Sequence, residues 1–324
     1  MASVRQLSGF TFANNADAES LLSRNFRDLI ELSRLYHPAP ILLIYFPHLY
    51  GILYASIRQY ISYETIFLRS CALLVGSVFF SNAAHIWNDI VDEPLDAQTP
   101  RTRTRPIPRG AVSKKRAALL CITQAILATL AFSFFPLPNS VVYAIPNIIA
   151  TTYYPWSKRH MDYPQFVLGF CIAYGVAIGA LIMGMAPFTL QNGGVVVQPE
   201  VLCLFLAVLF WTVIFDTVYA HLDVDSDVKI GIRSTAVRFR GCAKWFLAVQ
   251  LVCMIYALVL LGVWGNMSVA YYVFAVGGSL LSLGLLIYCV DLESSQSCWW
   301  WFGTGFWYTG GAILIGLLVE YILA

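Results

Sequence analysis

Asp89, Asp92, Glu93 and Asp96 fall within nine residues, directly after an apolar run. Carboxylates at a membrane edge are costly unless paired, hydrated or bound to a cation. Asn88, Asp92 and Asp96 recur at every fourth residue. A helix turning about 100° per residue carries all three on one face. Pro94 interrupts that face, so the helix is expected to kink or end near Glu93. Oxygen-only donors suit Mg²⁺, which keeps waters and is shared with substrate phosphates. Arg101, Arg103, Arg105 and Arg109 follow at once, offering forked donors matched to phosphate oxygens. Acid then base, side by side, reads as a metal–diphosphate site.

A second stretch repeats that order. Asp216, Asp223 and Asp227 stand at i, i+7 and i+11, a spacing that predicts one shared helix face. Asp225 points the opposite way and reads as a solvated carboxylate. Tyr219 lies near the acidic face, placed to hydrogen-bond a phosphate or orient a ligand. Lys229, Arg233 and Arg238 follow. The spacing of the two stretches suggests a weak internal duplication, each half carrying one carboxylate set. Facing each other, the sets would hold two or more Mg²⁺ ions around one diphosphate.

The elements that must position these groups are membrane helices. The chain is 59% hydrophobic and only 12% charged, with a mean hydropathy of +0.69. That is a polytopic membrane protein, all-α. Apolar runs long enough to cross a bilayer are expected near 38–58, 66–90, 114–134, 139–157, 164–185, 201–222, 242–264, 268–290 and 301–322, about nine transmembrane helices. Phe135-Pro136-Leu137-Pro138, Gln191-Asn192-Gly193-Gly194 and Gly265-Asn266 punctuate them. Eighteen of the 20 Lys and Arg fall before the first span or after an even-numbered one; Arg58 and Arg69 are the exceptions. By the positive-inside tendency, those ends and both acidic stretches face the cytosol. The eight cysteines form no C-x-x-C pair and read as small core hydrophobes. Residues 1–33 read as a cytosolic segment, too acidic for a mitochondrial leader, and 34–324 as a single domain. Asn266-Met267-Ser268 is a sequon whose closeness to the membrane argues against occupancy.

These stretches resemble the UbiA superfamily of intramembrane aromatic prenyltransferases. Asn88, Asp89, Asp92 and Asp96 match its N-D-x-x-D-x-x-x-D pattern; Arg101, Thr102, Arg105 and Pro106 match R-T-x-x-R-P. Asp216, Tyr219, Ala220, Asp223 and Asp227 match D-x-x-Y-A-x-x-D-x-x-x-D, followed by K-I-G-I-R-S-T-A from Lys229. Lesser matches are Arg34 with Pro38, and Tyr154-Pro155, Lys158-Arg159 and Pro164-Gln165. Thr99-Pro100 departs from the aliphatic residue usual before the first arginine, which bears on the loop's path and removes no ligand.

The resemblance implies Mg²⁺-dependent transfer of a prenyl group from a prenyl diphosphate to an aromatic carbon. Asn88, Asp92, Asp96, Asp223 and Asp227 are then the metal and diphosphate set, with Arg101, Arg105 and Lys229 as phosphate contacts. Arg109 and Lys114 to Arg116 are assigned to lipid headgroups or topology. Asp216 or Asp223 would polarise an acceptor hydroxyl or take the ring proton, with Tyr219 nearby; the sequence leaves that choice open. Arg34, Lys158 and Arg159 are candidates to bind an acceptor carboxylate, positive-inside anchoring being their alternative. His85 and His221 read first as packing histidines.

Y-F-P-H-L-Y-G-I-L-Y-A and N-D-I-V-D-E-P-L-D look like fungal meroterpenoid-pathway farnesyltransferases acting on phenolic polyketide acids of the orsellinic type. The expected setting is the endoplasmic reticulum or a related endomembrane. Alternatives are a 4-hydroxybenzoate polyprenyltransferase of ubiquinone biosynthesis, a UbiA-type terpene cyclase and, from a different class, a membrane transporter. The expected partners are the prenyl diphosphate, the phenolic acceptor and the bilayer, with no nucleic acid.

Overall fold

The computed structural model describes residues 24–35, 39–135, 140–191 and 194–324. Readings placed on residues 1–23, Pro38, Pro136-Leu137-Pro138 and Asn192-Gly193 lie outside them.

In lipid a backbone must satisfy its own N–H and C=O groups, so the apolar runs fold as helices. A short helix α1 (Arg24–Leu32) precedes α2 (Ala39–Gln59), α3 (Tyr63–Asp96), α4 (Lys114–Ser133), α5 (Ser140–Ser157) and α6 (Pro164–Ile182). A hairpin of β1 (Phe188–Gln191) and β2 (Gly194–Val197) pairs Phe188 with Val197. Next come α7 (Pro199–Ala220), the short α8 (Val224–Ile230) and α9 (Thr235–Arg238), and α10 (Ala243–Trp264). Two long helices close the chain: α11 (Val269–Cys289), with a π turn at Tyr272–Gly277, and α12 (Ser295–Leu323), with one at Trp301–Gly305.

Among the described residues, eight helices are long and apolar enough to cross a membrane. The ninth expected span is α5, which carries Pro146, Asn147 and Pro155 and is not among those eight. The second expected span is longer than its apolar run, because α3 extends through the acidic stretch.

The core centres on α2, α6 and α7. A Cβ on Gly179 would stand 2.1 Å from the His48 carbonyl oxygen, and one on Gly51 2.1 Å from that of Val176. Glycine is required at both crossings, since small residues let backbones touch where lipid supplies no hydrophobic push. Trp211 and Tyr50 are fully buried, and the Tyr50 hydroxyl donates to Gly310 O at 2.9 Å. α4, by contrast, exposes Leu119, Ile122, Ile126 and Leu130, as a lipid-facing helix does.

The Asn266 sequon is built into the fold. Glu320 accepts the Ser268 N–H at 2.9 Å and the Ser268 hydroxyl at 2.6 Å. The hydroxyl that a glycan acceptor needs is therefore engaged. Cys203 and Cys298 are buried, Cys71, Cys242 and Cys289 are exposed, and all eight thiols are free.

Candidate active site

The first acidic stretch stays helical beyond the expected break. Pro94 lacks an N–H and removes one ladder bond, yet α3 continues to Asp96 and the Ala97 N–H reaches Glu93 O at 3.0 Å. The proline lies so near the helix end that little ladder remained to lose. Asp89, Asp92 and Asp96 are buried along the inward face, with Asn88 half-buried beside them. After α3 the chain coils tightly: the Thr102 hydroxyl donates to Asp96 O at 3.1 Å, and the Arg105 N–H to Thr102 O at 2.9 Å. This coil, which begins at Thr99-Pro100, returns Arg105 to the helix, where Nη1 meets Asp96 at 2.8 Å and Asp89 at 3.2 Å.

The second stretch departs from a single helix. α7 ends at Ala220, and the N–H groups of His221, Leu222 and Asp223 bond carbonyls three residues back. That tightened turn breaks the 3.6-residue period on which a shared face depends. Asp223 is the N-cap of α8, while Asp216 stays on α7 beside the Gln165 amide. Gln165 is itself anchored, its Oε1 accepting the Thr235 N–H at 3.0 Å. Asp225 is exposed, as its spacing predicts, and pairs with Arg240.

Two cations bring the stretches together. Arg101, from the coil after α3, meets both Asp223 oxygens through Nε at 3.0 and 2.9 Å. Its Nη1 donates to the Tyr219 hydroxyl at 2.8 Å, and the guanidinium lies 5.0 Å from the Tyr219 ring centroid. Lys158, at the end of α5, meets Asp92 Oδ2 at 2.8 Å and sits over the Tyr154 ring. The loop carrying it is held from the segment between α8 and α9, since the Arg233 N–H donates to Lys158 O at 2.9 Å. Asp92 and Asp223 therefore open at the same end of the bundle.

Burial first, and then the neighbouring Asp223 charge, push the Asp227 carboxyl up to about 7; Lys158 and Arg101 pull it back. Burial works against the Lys158 charge, but Tyr154, Asp92 and Asp96 outweigh it and hold the ammonium above its ordinary range. One lysine thus acts on acids of both stretches.

Other expected residues are placed differently. Arg34 runs to Asp89, with Nη2 at 2.8 Å from both oxygens. Arg159 is exposed and donates to Val91 O at 2.6 Å, fastening the α5–α6 loop to α3. Lys229 is exposed on α8. Arg109, assigned to lipid or topology, pairs with Asp28 and Glu31 of α1, and Lys114 meets Glu93 at 2.8 Å. His85 and His221 bond carbonyls one turn back in their own helices. Asp89, part of the motif but outside the expected ligand set, proves the most buried acid of the first stretch.

The donor set is oxygen-only, and Asp92 Oδ1 is buried with no hydrogen-bond partner among the described residues, leaving an open coordinating atom. That chemistry fits a hard divalent cation. Among the described residues, no three His, Cys, Asp or Glu side chains converge into a ready metal cage. Lys158, Arg105 and Arg101 occupy the carboxylate oxygens instead.

A bundle of membrane helices with two acid-and-base clusters meeting at one end defines an intramembrane prenyltransferase. Residues 39–310 match the UbiA prenyltransferase family. The chain belongs to that family, and it is an enzyme of the prenyltransferase class. It is 31% identical over 284 residues to the mitochondrial 4-hydroxybenzoate polyprenyltransferase of Schizosaccharomyces pombe, covering 88% of this chain and 77% of that protein. It is also 31% identical to the prenyltransferase adrG of Penicillium roqueforti, covering 90% of each. Among solved structures, a UbiA homolog from Archaeoglobus fulgidus bound to GPP and Mg²⁺ superposes with a TM-score of 0.65 at 14% identity, covering 91% of this chain and 99% of that one.

Proposed function

We propose that the enzyme transfers a farnesyl group from its diphosphate to an aromatic carbon of a phenolic polyketide acid of the orsellinic type. The observation that carries this reading is the Arg101 bridge, which joins the coil after the first acidic stretch to Asp223 and Tyr219 of the second. A ligand bearing both charge signs, a metal diphosphate, is what such a paired mouth would accept. Asn88, Asp92, Asp96, Asp223 and Asp227 would hold a divalent cation, Mg²⁺ in the solved A. fulgidus homolog. When bound, such a cation takes up negative charge on the leaving pyrophosphate.

Arg101 and Arg105 would receive the diphosphate oxygens with forked donors, and Lys229, exposed on α8, would offer a further cation. The allylic C–O bond breaks as the ring carbon forms its new C–C bond, and the ring proton leaves. Asp223 has both oxygens engaged by Arg101, so we assign acceptor polarisation and the ring proton to Asp216. Tyr219 orients Arg101 through its hydroxyl. Lys158 offers one charge to an acceptor carboxylate once Asp92 turns to the metal. We place the enzyme in an endomembrane, its mouth toward the cytosol as the lysine and arginine distribution suggests.

A second reading, a 4-hydroxybenzoate polyprenyltransferase, is supported by the S. pombe relative. Membranes carrying the enzyme, given C10, C15 and C20 diphosphates with Mg²⁺ and several phenolic acids, distinguish the two. Farnesylation of orsellinic-type acids is expected. Transfer to 4-hydroxybenzoate alone would replace the first reading with the second, and product formed without any acceptor would indicate a cyclase.

A further inference from the structure

Asp89 and Asp92 lie less than one helical turn apart, yet their surroundings differ in kind. Asp89 is 1% exposed, and arginines take both its oxygens: Oδ1 accepts from Arg34 at 2.8 Å and from Arg105 at 3.2 Å, and Oδ2 from Arg34 at 2.8 Å. Asp92 has one oxygen on Lys158 and the other buried without a partner among the described residues. A carboxylate enclosed by two guanidinium groups has little left to offer a metal, whereas an open, desolvated oxygen is suited to one.

Arg34 reaches Asp89 because α1 is fastened to the mouth. Leu32 is fully buried against Ile86, Ile107, Val112 and Ala117, and Arg109 grips Glu31 at 2.9 Å. The helix then ends with Arg34 at φ 58°. A non-glycine residue keeps that left-handed conformation where its surroundings over-determine it. The turn aims the guanidinium inward, onto an acid that in turn holds Arg105.

We propose that Asp89 is a positioning residue and not a metal ligand. With Arg34, it forms a relay from α1 that fixes the Arg105 guanidinium for the diphosphate. Both Arg105 contacts run through Nη1, to Asp89 and Asp96, which leaves the rest of its fork for phosphate oxygens. This assigns α1 to the diphosphate site and removes Arg34 from acceptor binding. It rests on the prenyl-diphosphate reading above.

The test is calorimetric titration of the purified full-length protein in detergent with inorganic pyrophosphate and Mg²⁺. Arg34→Gln and Asp89→Asn should each weaken pyrophosphate binding by about tenfold, as loss of a supporting hydrogen-bond partner does. The double variant should be little worse than either single one, because both act through one chain of contacts. The Mg²⁺ concentration needed at saturating pyrophosphate should not move. Wild-type affinity in both variants, additive losses, or a raised Mg²⁺ requirement in Asp89→Asn would each overturn the relay. So would Arg34→Gln raising KM for the aromatic acid while pyrophosphate binding is unchanged. If Asp89→Asn does not fold, Arg34→Gln decides alone, its side chain being only partly buried. A wild-type protein that binds no Mg²⁺–pyrophosphate would sink the functional reading itself, a result distinct from failure of the relay.

Discussion

The two acidic stretches reach one mouth by different constructions. The first sits on an unbroken helix, and its acids are clamped within their own neighbourhood by Arg34, Arg105 and Lys158. The second straddles a break between α7 and α8, and its accessible acid, Asp223, is held by an arginine from the first. A rigid half and a jointed half meet across Arg101, with Lys158 acting on acids of both. The jointed half is the one able to adjust when a ligand replaces Arg101, since a short turn rearranges at lower cost than a long packed helix.

If both halves grip one metal diphosphate, removing either should be severe. Asp92→Asn and Asp223→Asn are each expected to lower prenyl transfer roughly 10²–10³-fold, the scale for losing a charge-stabilising group. A mild effect in one would mean that a single half suffices. Arg101→Gln should come next, at roughly ten- to a hundredfold, because it frees Asp223 and Tyr219 while removing a phosphate donor. Arg101→Lys should recover little of that loss, since a lysine cannot bond the acid with a fork and reach the phenol as well.

The jointed half also carries a pH dependence. With Asp227 pushed up to about 7 by burial and by Asp223, metal entry must displace its proton at lower pH. Metal affinity should therefore rise by about tenfold per pH unit below pH 7 and flatten above it, a slope that Asp227→Asn removes. Titration of the purified protein with Mn²⁺ across that range checks it. The smallest effect is expected from Asp225→Asn, whose exposed pair with Arg240 is worth less than about 1 kcal/mol. Thermal unfolding and activity should both stay close to wild type.

Residue type and spacing made the first half legible, because α3 keeps the helical period that places Asp89, Asp92 and Asp96 together. Pro94 misled only slightly: helix-breaking chemistry matters less in a final turn than in an interior one. The same logic failed for Asp216, Asp223 and Asp227. Nothing at His221-Leu222 carries a breaker, yet the N–H groups there tighten onto carbonyls three residues back. The roles of Arg34 and Asp89 were hidden for a different reason. Their contact spans 55 residues and depends on where α1 docks, which local periodicity does not encode. Leu29 and Leu32, nearly one turn apart on α1, were the available clue, an apolar stripe that needs a surface to cover it.

The proposed site draws on both stretches around one shared metal diphosphate. The most direct measurement is Mn²⁺ binding to the purified enzyme with and without pyrophosphate, in wild type, Asp92→Asn and Asp223→Asn. Pyrophosphate is expected to increase Mn²⁺ uptake by the wild type, and each substitution, on either side of the mouth, to remove that increase. An undiminished increase in either variant would contradict it.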